Sequence, residues 1–117
     1  MADYGVAVTW GDPRPGREQK ALQLWADSIG LNEKAVADGR IESWDAVIFE
    51  PSATPPAGVL RFHGTGDQIE RFIRSEDFED VLERATLLLS NVGVRRFVTG
   101  NALAEQFGRY AKLVESL

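Results

Sequence analysis

The single histidine of the chain, His63, is the side chain best suited to acid–base chemistry near neutral pH. It lies in a segment, residues 58–65, whose apolar and polar side chains alternate as in a β-strand, and Arg61 shares its parity. An earlier alternating segment, residues 41–50, carries Asp45. Residues of the same parity lie on the same face of a strand, so pairing of these segments brings a carboxylate close to a guanidinium or an imidazole.

The register of the two strands decides which of these groups meet. In one register Asp45 lies opposite His63. In the other, Asp45 lies opposite Arg61 and Ser43 lies opposite His63. Both registers remain open, and both place the carboxylate where a neighbouring group can shift its pKa.

A histidine oriented by a carboxylate can act as a general base, and here Arg61 could stabilise the resulting enolate or phenolate. We therefore predict His63, Asp45 and Arg61 as catalytic residues of an isomerase or a cofactor-independent monooxygenase acting on an aromatic or enolisable substrate. The alternative is a non-catalytic oligomeric or ligand-binding module. In that case the cluster neutralises its own charges and fixes the register of two subunits. Because no further motif accompanies the histidine, we favour the structural alternative.

Three further residues are predicted to contact a substrate. Trp10 ends the first strand beside a loop rich in Gly and Pro, where it could line an aromatic pocket. Ser43 shares the parity of Asp45, and Arg95 could add positive charge from the last strand. Parity alone leaves open whether Arg95 or Arg96 faces this site, because a β-bulge would exchange them.

Composition excludes several classes of site. The chain has no cysteine, so disulfides, thiolate metal sites and cysteine nucleophiles are absent. One histidine cannot supply the usual ligand set of zinc or non-haem iron, and we expect no metal and no cofactor. A single imidazole could still ligate haem, but no second feature supports this.

The charge and the apolar pattern also limit the partners. A net charge of −5 opposes binding to nucleic acid, which needs clustered cations. No apolar run is long enough to span a membrane. The N-terminus shows no signal-peptide pattern, so we expect a cytoplasmic protein.

The elements that position these residues follow the order β-α-β-β-α-β-α. Strands are predicted at 4–10, 41–50, 58–65 and 91–98, and Pro-rich and Gly-rich segments separate them. A first helix from about residue 17 ends at Gly39, where glycine suits a left-handed cap. Its predicted apolar stripe consists of Ala21, Leu22, Trp25, Ile29, Ala35 and Val36.

The second helical region is predicted in two parts. Asp67 with Glu70 forms a candidate capping box for a short helix to Arg74, and Ser75 caps a longer helix to about Leu89. Asn101 is the predicted cap of a last helix.

Two β-α-β units joined by a hairpin predict an α+β, ferredoxin-like βαββαβ fold with antiparallel strand order 4-1-3-2. Helices would cover one face of this sheet. The other face carries side chains such as Val47, Val59 and Phe49, too apolar for water, so we expect a homodimer or higher homo-oligomer.

With this element order and the interrupted helix IERFIRSEDFEDVLERA at residues 69–85, the chain resembles the dimeric α/β barrel superfamily. That group includes antibiotic-biosynthesis-type monooxygenases, muconolactone-isomerase-like proteins, haem-degrading enzymes and YCII-related proteins. The resemblance implies two sheets that enclose a barrel in the dimer, and a small hydrophobic or aromatic ligand.

We predict one domain at residues 1–100, followed by an amphipathic helix at 101–117. The helix carries a narrow apolar seam formed by Leu103, Phe107, Tyr110, Val114 and Leu117. This seam could dock on the protein's own domain or dimer, or it could grip a partner subunit in a larger oligomer. We favour docking, because the linker Thr99–Gly100 is short.

Overall fold

The computed structural model describes residues 2–117, so Met1 of the predicted domain lies outside the described residues. Four strands form one sheet with the order β2-β3-β1-β4, which is the predicted order 4-1-3-2. The helices and strands, in chain order, are β1 (Tyr4–Trp10), α1 (Glu18–Ala37), β2 (Ser43–Ile48), β3 (Gly58–Gly64), α2 (Gly66–Ile73), α3 (Glu76–Leu88), β4 (Gly93–Val98) and α4 (Gly100–Glu115). The predicted α+β, ferredoxin-like fold is confirmed.

Every pair of neighbouring strands is antiparallel, and the alternation of side chains divides the sheet into two faces. Val6, Leu60 and Phe62 point toward α1, α2 and α3 and belong to the buried core. The opposite face of the sheet is not covered by α1, α2 or α3, and we call it the free face. It carries the residues of opposite parity, such as Ala7 and Arg61.

Three phenylalanines form the centre of the core. The Phe62 ring of β3 lies 5.1 Å from the Phe72 ring of α2 and 6.1 Å from the Phe78 ring of α3, measured between centroids. The Phe72 and Phe78 rings are 5.2 Å apart. These contacts hold both parts of the interrupted helix against the sheet.

Helix α1 buries only part of the predicted stripe. Ala35 is buried and Trp25 packs against the core as predicted, but Leu22 is 66% exposed. Leu24, Ser28 and Asn32, which were not predicted, are buried instead. The predicted stripe followed the most apolar residues, but the helix is rotated so that two polar side chains face inward. The predicted C-terminal cap is confirmed, because Gly39 follows the helix with a φ of +74°.

The N-terminal caps of α2 and α3 differ in how well the sequence identified them. Ser75 caps α3 as predicted, accepting a hydrogen bond from the Phe78 backbone N–H. For α2 the predicted Asp67 cap is wrong, because Thr65 is the N-cap. Its hydroxyl accepts from the Gln68 N–H at 3.1 Å, and the Gln68 side chain accepts from the Thr65 N–H at 2.8 Å.

Helix α4 begins at Gly100, with Thr99 rather than Asn101 at the cap position. Ala102 is buried, but every residue from 103 to 117 is exposed on the single chain, including all five residues of the predicted seam. Coverage of the seam by a second subunit therefore remains a prediction. Among the described residues, no helix combines the length and apolar character that a membrane crossing requires.

The contribution of the α2 capping box to stability can be tested by substitution of Thr65. Thr65→Ala removes the acceptor of the Gln68 N–H, so we expect the free energy of unfolding to fall by about 1 kcal/mol. Thr54→Ala, in the exposed loop between β2 and β3, is the matched control and should change it by less than about 0.5 kcal/mol. Urea denaturation measures both, and equal effects of the two substitutions would contradict the capping role.

Candidate functional site

The observed pairing of β2 with β3 selects one of the two registers left open by the sequence. Asp45 lies opposite Arg61, and Ser43 lies opposite His63. The predicted catalytic residues therefore share the free face, but Asp45 is directly opposite the guanidinium and not the imidazole.

Asp45 and Arg61 form a bidentate ion pair. Arg61 Nε donates to Asp45 Oδ1 at 2.9 Å, and Nη2 donates to Oδ2 at 2.6 Å. These hydrogen bonds stabilise the ionised carboxylate, so the pKa of Asp45 lies below its ordinary value. Both carboxylate oxygens are engaged by Arg61, which leaves Asp45 poorly placed to orient His63.

His63 has an aromatic neighbour. Its ring meets the Phe97 ring edge to face, with centroids 5.2 Å apart, although the two residues lie on strands separated by β1. Gly5 of β1 makes this contact feasible, because a Cβ at Gly5 would overlap the Phe97 ring. The three residues thus form a row across the free face: imidazole, glycine and phenyl ring.

The two adjacent arginines of β4 point to opposite faces. Arg96 donates through Nε to Glu70 Oε1 of α2 at 2.7 Å, which places it on the helix side. Arg95 lies opposite Ala7, as Arg61 does from the other side. Arg95 therefore shares the free face with Asp45, Arg61, His63 and Ser43, and the question left open by parity is answered.

Trp10 is separated from these five residues by the sheet itself. Its indole lies on the helix face, where its ring centroid is 5.7 Å from that of Trp25 on α1. The structure brings together Ser43, Asp45, Arg61, His63 and Arg95, but it places Trp10 in a second location.

Trp10 lines a cavity of about 570 Å³ between the sheet, α1 and α3. Its inner wall is made by buried apolar side chains, including Leu24, Leu60 and Phe78. Leu22 and Ile48 contribute to its lining while remaining largely exposed, which identifies the mouth. The sequence predicted that Trp10 could line an aromatic pocket beside the loop that follows β1, but it did not predict the walls that α1 and α3 contribute.

Two buried polar residues of α1 also line the cavity. Ser28 donates its Oγ hydrogen to the Trp25 carbonyl at 2.8 Å. Asn32, one turn later, is 2% exposed, and its Nδ2 has no hydrogen-bond partner within residues 2–117. The spacing of Ser28 and Asn32, four residues apart on the stripe of Leu24 and Ala35, was the available sequence signal.

Within residues 2–117, no three acidic or histidine side chains converge in a way that could hold a metal ion.

Comparison with known proteins identifies the fold but no family. No protein-family model matches the sequence, and no curated protein is similar to it. A dimeric ferredoxin-like protein of unknown function from Bacteroides fragilis superposes with a TM-score of 0.60 at 7% identity, covering 84% of this chain and 97% of the other.

Two further solved structures extend this result. A dimeric ferredoxin-like protein of unknown function from Thermobifida fusca superposes with a TM-score of 0.56 at 13% identity, covering 84% of this chain and 91% of the other. A candidate antibiotic biosynthesis monooxygenase from Deinococcus radiodurans superposes with a TM-score of 0.56 at 7% identity, covering 86% and 94%. The chain is therefore similar in fold to ferredoxin-like dimeric proteins.

The ion pair of the free face predicts a specific titration. In Arg61→Gln the carboxylate loses its charged donor, so the pKa of Asp45 should rise toward its ordinary value near 4. A lowered folded-state pKa stabilises the protein at pH values above the unfolded-state pKa. At neutral pH the ion pair should therefore make the free energy of unfolding of wild type larger than that of Arg61→Gln. This difference should be lost as the pH falls through the folded-state pKa of Asp45.

Carboxyl-carbon NMR titration measures this shift. Arg96→Gln is the matched control, since it removes the partner of Glu70 on the other face and should leave the Asp45 titration unchanged. An Asp45 pKa that is the same in wild type and Arg61→Gln would contradict the ion pair as its cause.

Proposed function

We propose that this protein is a homodimer that binds a small, largely apolar molecule in the cavity between the sheet and helices α1 and α3. The observation that carries this proposal is the cavity itself, about 570 Å³ in volume and lined chiefly by apolar side chains. Ligand pockets in proteins have volumes of about 300–1,000 Å³ and combine such walls with a few polar groups.

The mouth of the cavity supports the same proposal. Leu22 and Ile48, which lie there, are 66% and 64% exposed. An apolar ligand would remove part of this surface from water, and such burial is the main driving force for binding of apolar molecules. Trp10 and Trp25 add flat aromatic surfaces to the wall, which suit an aromatic ligand.

A catalytic function based on His63, as in a monooxygenase or isomerase, has less support. Asp45 bonds to Arg61 through both oxygens, and the His63 ring contacts Phe97. The predicted base role, in which Asp45 orients the imidazole, would require Asp45 to leave Arg61 and turn toward His63. We therefore propose that the free-face cluster is structural.

The same cluster supports the proposed homodimer. The free face combines the apolar Val47 and Val59 with the mutually neutralised pair Asp45–Arg61. A paired, hydrogen-bonded ion pair can be buried at a subunit interface at lower cost than an isolated charge. Solved neighbours of the same fold are described as dimeric, which agrees with a second subunit against this face.

The ligand proposal is tested with the three tryptophans as reporters. Trp10 and Trp25 line the cavity, whereas Trp44 packs against the core elsewhere. On titration with naphthalene, we expect the indole N–H signals of Trp10 and Trp25 to shift in ¹⁵N-resolved NMR spectra, while that of Trp44 changes little. A saturable response confined to these two signals is the expected result.

A pair of substitutions controls for nonspecific binding. Ala21→Phe fills the lining of the cavity and should weaken naphthalene binding by at least about tenfold, which corresponds to 1.4 kcal/mol. Ala26→Phe, on the exposed side of the same helix, should leave binding unchanged. Equal shifts of all three indoles, or equal affinities of the two variants, would contradict the proposed site.

The dimer proposal is tested by placing a charge on the free face. Val59→Glu introduces an unpaired carboxylate into the proposed interface, so it should raise the dissociation constant of the dimer by at least about a hundredfold. Leu87→Glu, at an exposed position of α3, is the control and should leave association unchanged. Sedimentation equilibrium measures both, and a Val59→Glu dimer as tight as wild type would contradict this interface.

A further inference from the structure

Asn32 is the polar group of the cavity that the fold itself leaves unsatisfied. Its side chain is 2% exposed, and its Nδ2 has no hydrogen-bond partner within residues 2–117. Buried amide groups are normally hydrogen-bonded, because desolvation without a partner costs free energy. Nδ2 itself exposes less than 1 Å², but Asn32 lines the cavity, so rotation of its amide would give Nδ2 a ligand atom as its partner.

The other buried polar residue of the cavity wall, Ser28, has a hydrogen-bond partner within the protein. Ser28 faces the same cavity, but its hydroxyl donates to the Trp25 carbonyl at 2.8 Å. Ser28 is thus satisfied by its own helix. Asn32 differs in having a donor that the surrounding protein does not use.

The charges around the cavity limit the chemistry of the ligand. Asp12 and Glu18 are the charged residues in its lining, and both are acidic. No lysine or arginine of the described chain lines it, so an anionic head group would lack a counter-ion and would meet like charge. These features favour a neutral ligand over a carboxylate.

We propose that the ligand is a neutral, largely apolar molecule with one oxygen acceptor, such as a ketone or ester carbonyl, that accepts a hydrogen bond from Asn32 Nδ2. This assignment rests on the proposed function and makes it more specific. Asn32 determines which apolar molecules are preferred, while the apolar walls supply most of the binding free energy.

The test compares two probes of nearly equal shape, 2-acetylnaphthalene and 2-isopropylnaphthalene, which differ in the presence of a carbonyl. The ratio of their dissociation constants is measured by isothermal titration calorimetry in wild type, Asn32→Leu and Gln23→Leu. Asn32→Leu should reduce the preference for the ketone by about tenfold, since it removes one hydrogen bond to the ligand. Gln23→Leu, an amide-to-leucine change on the exposed side of the same helix, should change the ratio by less than about twofold.

Asn32→Ala serves as a second variant if leucine disturbs the fold, and it should reduce the ketone preference in the same direction. A third probe, 2-naphthoate, should bind at least about tenfold more weakly than the ketone, because the acidic lining disfavours an anion. Binding of 2-naphthoate as tight as that of the ketone would overturn the assignment of a neutral ligand.

Different results would overturn the role of Asn32 and the binding function of the cavity. If the hydrocarbon and the ketone both bind wild type but Asn32→Leu and Asn32→Ala leave their ratio unchanged, the role of Asn32 is overturned and the proposed binding function stands. If neither probe binds wild type, the proposed function itself is overturned.

Discussion

The packing of helices against one face of the four-stranded sheet is the constraint on which the rest of the structure depends. Each strand must present alternate side chains to two different environments, so a residue's parity decides its surroundings. Even-numbered residues of β1 and β3, such as Val6 and Phe62, enter the core. Odd-numbered ones, such as Ala7 and Arg61, are left on the free face.

This division places the polar cluster and the cavity on opposite faces of the sheet, although their residues alternate along the same strands. On the free face, Asp45 and Arg61 neutralise each other, and the His63 ring packs against the Phe97 ring. Gly5 leaves room for the Phe97 ring, so the two rings meet across β1. On the helix face, by contrast, the layers do not fill the available space, and the cavity remains.

Strand order, strand parity and fold class could be predicted from the sequence, because alternation in segments such as 58–64 is a local signal. The choice between the two registers could not be predicted, because both keep the same residues on the same face. The register depends instead on the geometry of the turn over residues 49–57. Thr65 was missed as a cap because the pair Asp67 and Glu70 offered an equally regular local pattern.

The candidate site was predicted only in part, for a related physical reason. The cluster of Asp45, Arg61 and His63 follows from parity and was found on one face as expected. The cavity depends on how far α1 and α3 stand from the sheet, which is a property of tertiary packing. The inward rotation of α1 that buries Ser28 and Asn32 runs against its most apolar stripe, so sequence patterning pointed to Leu22 and Val36 instead.

We infer that a small apolar molecule binds on the helix side of the sheet and not on the free face. The most direct measurement is a ¹³C-filtered NOESY experiment on the naphthalene complex, with methyl groups of both faces as reporters. We expect contacts from naphthalene protons to the methyl groups of Leu24, Leu60 and Leu82, which line the cavity. Contacts to Val47 and Val59 of the free face, with none to these leucines, would contradict it.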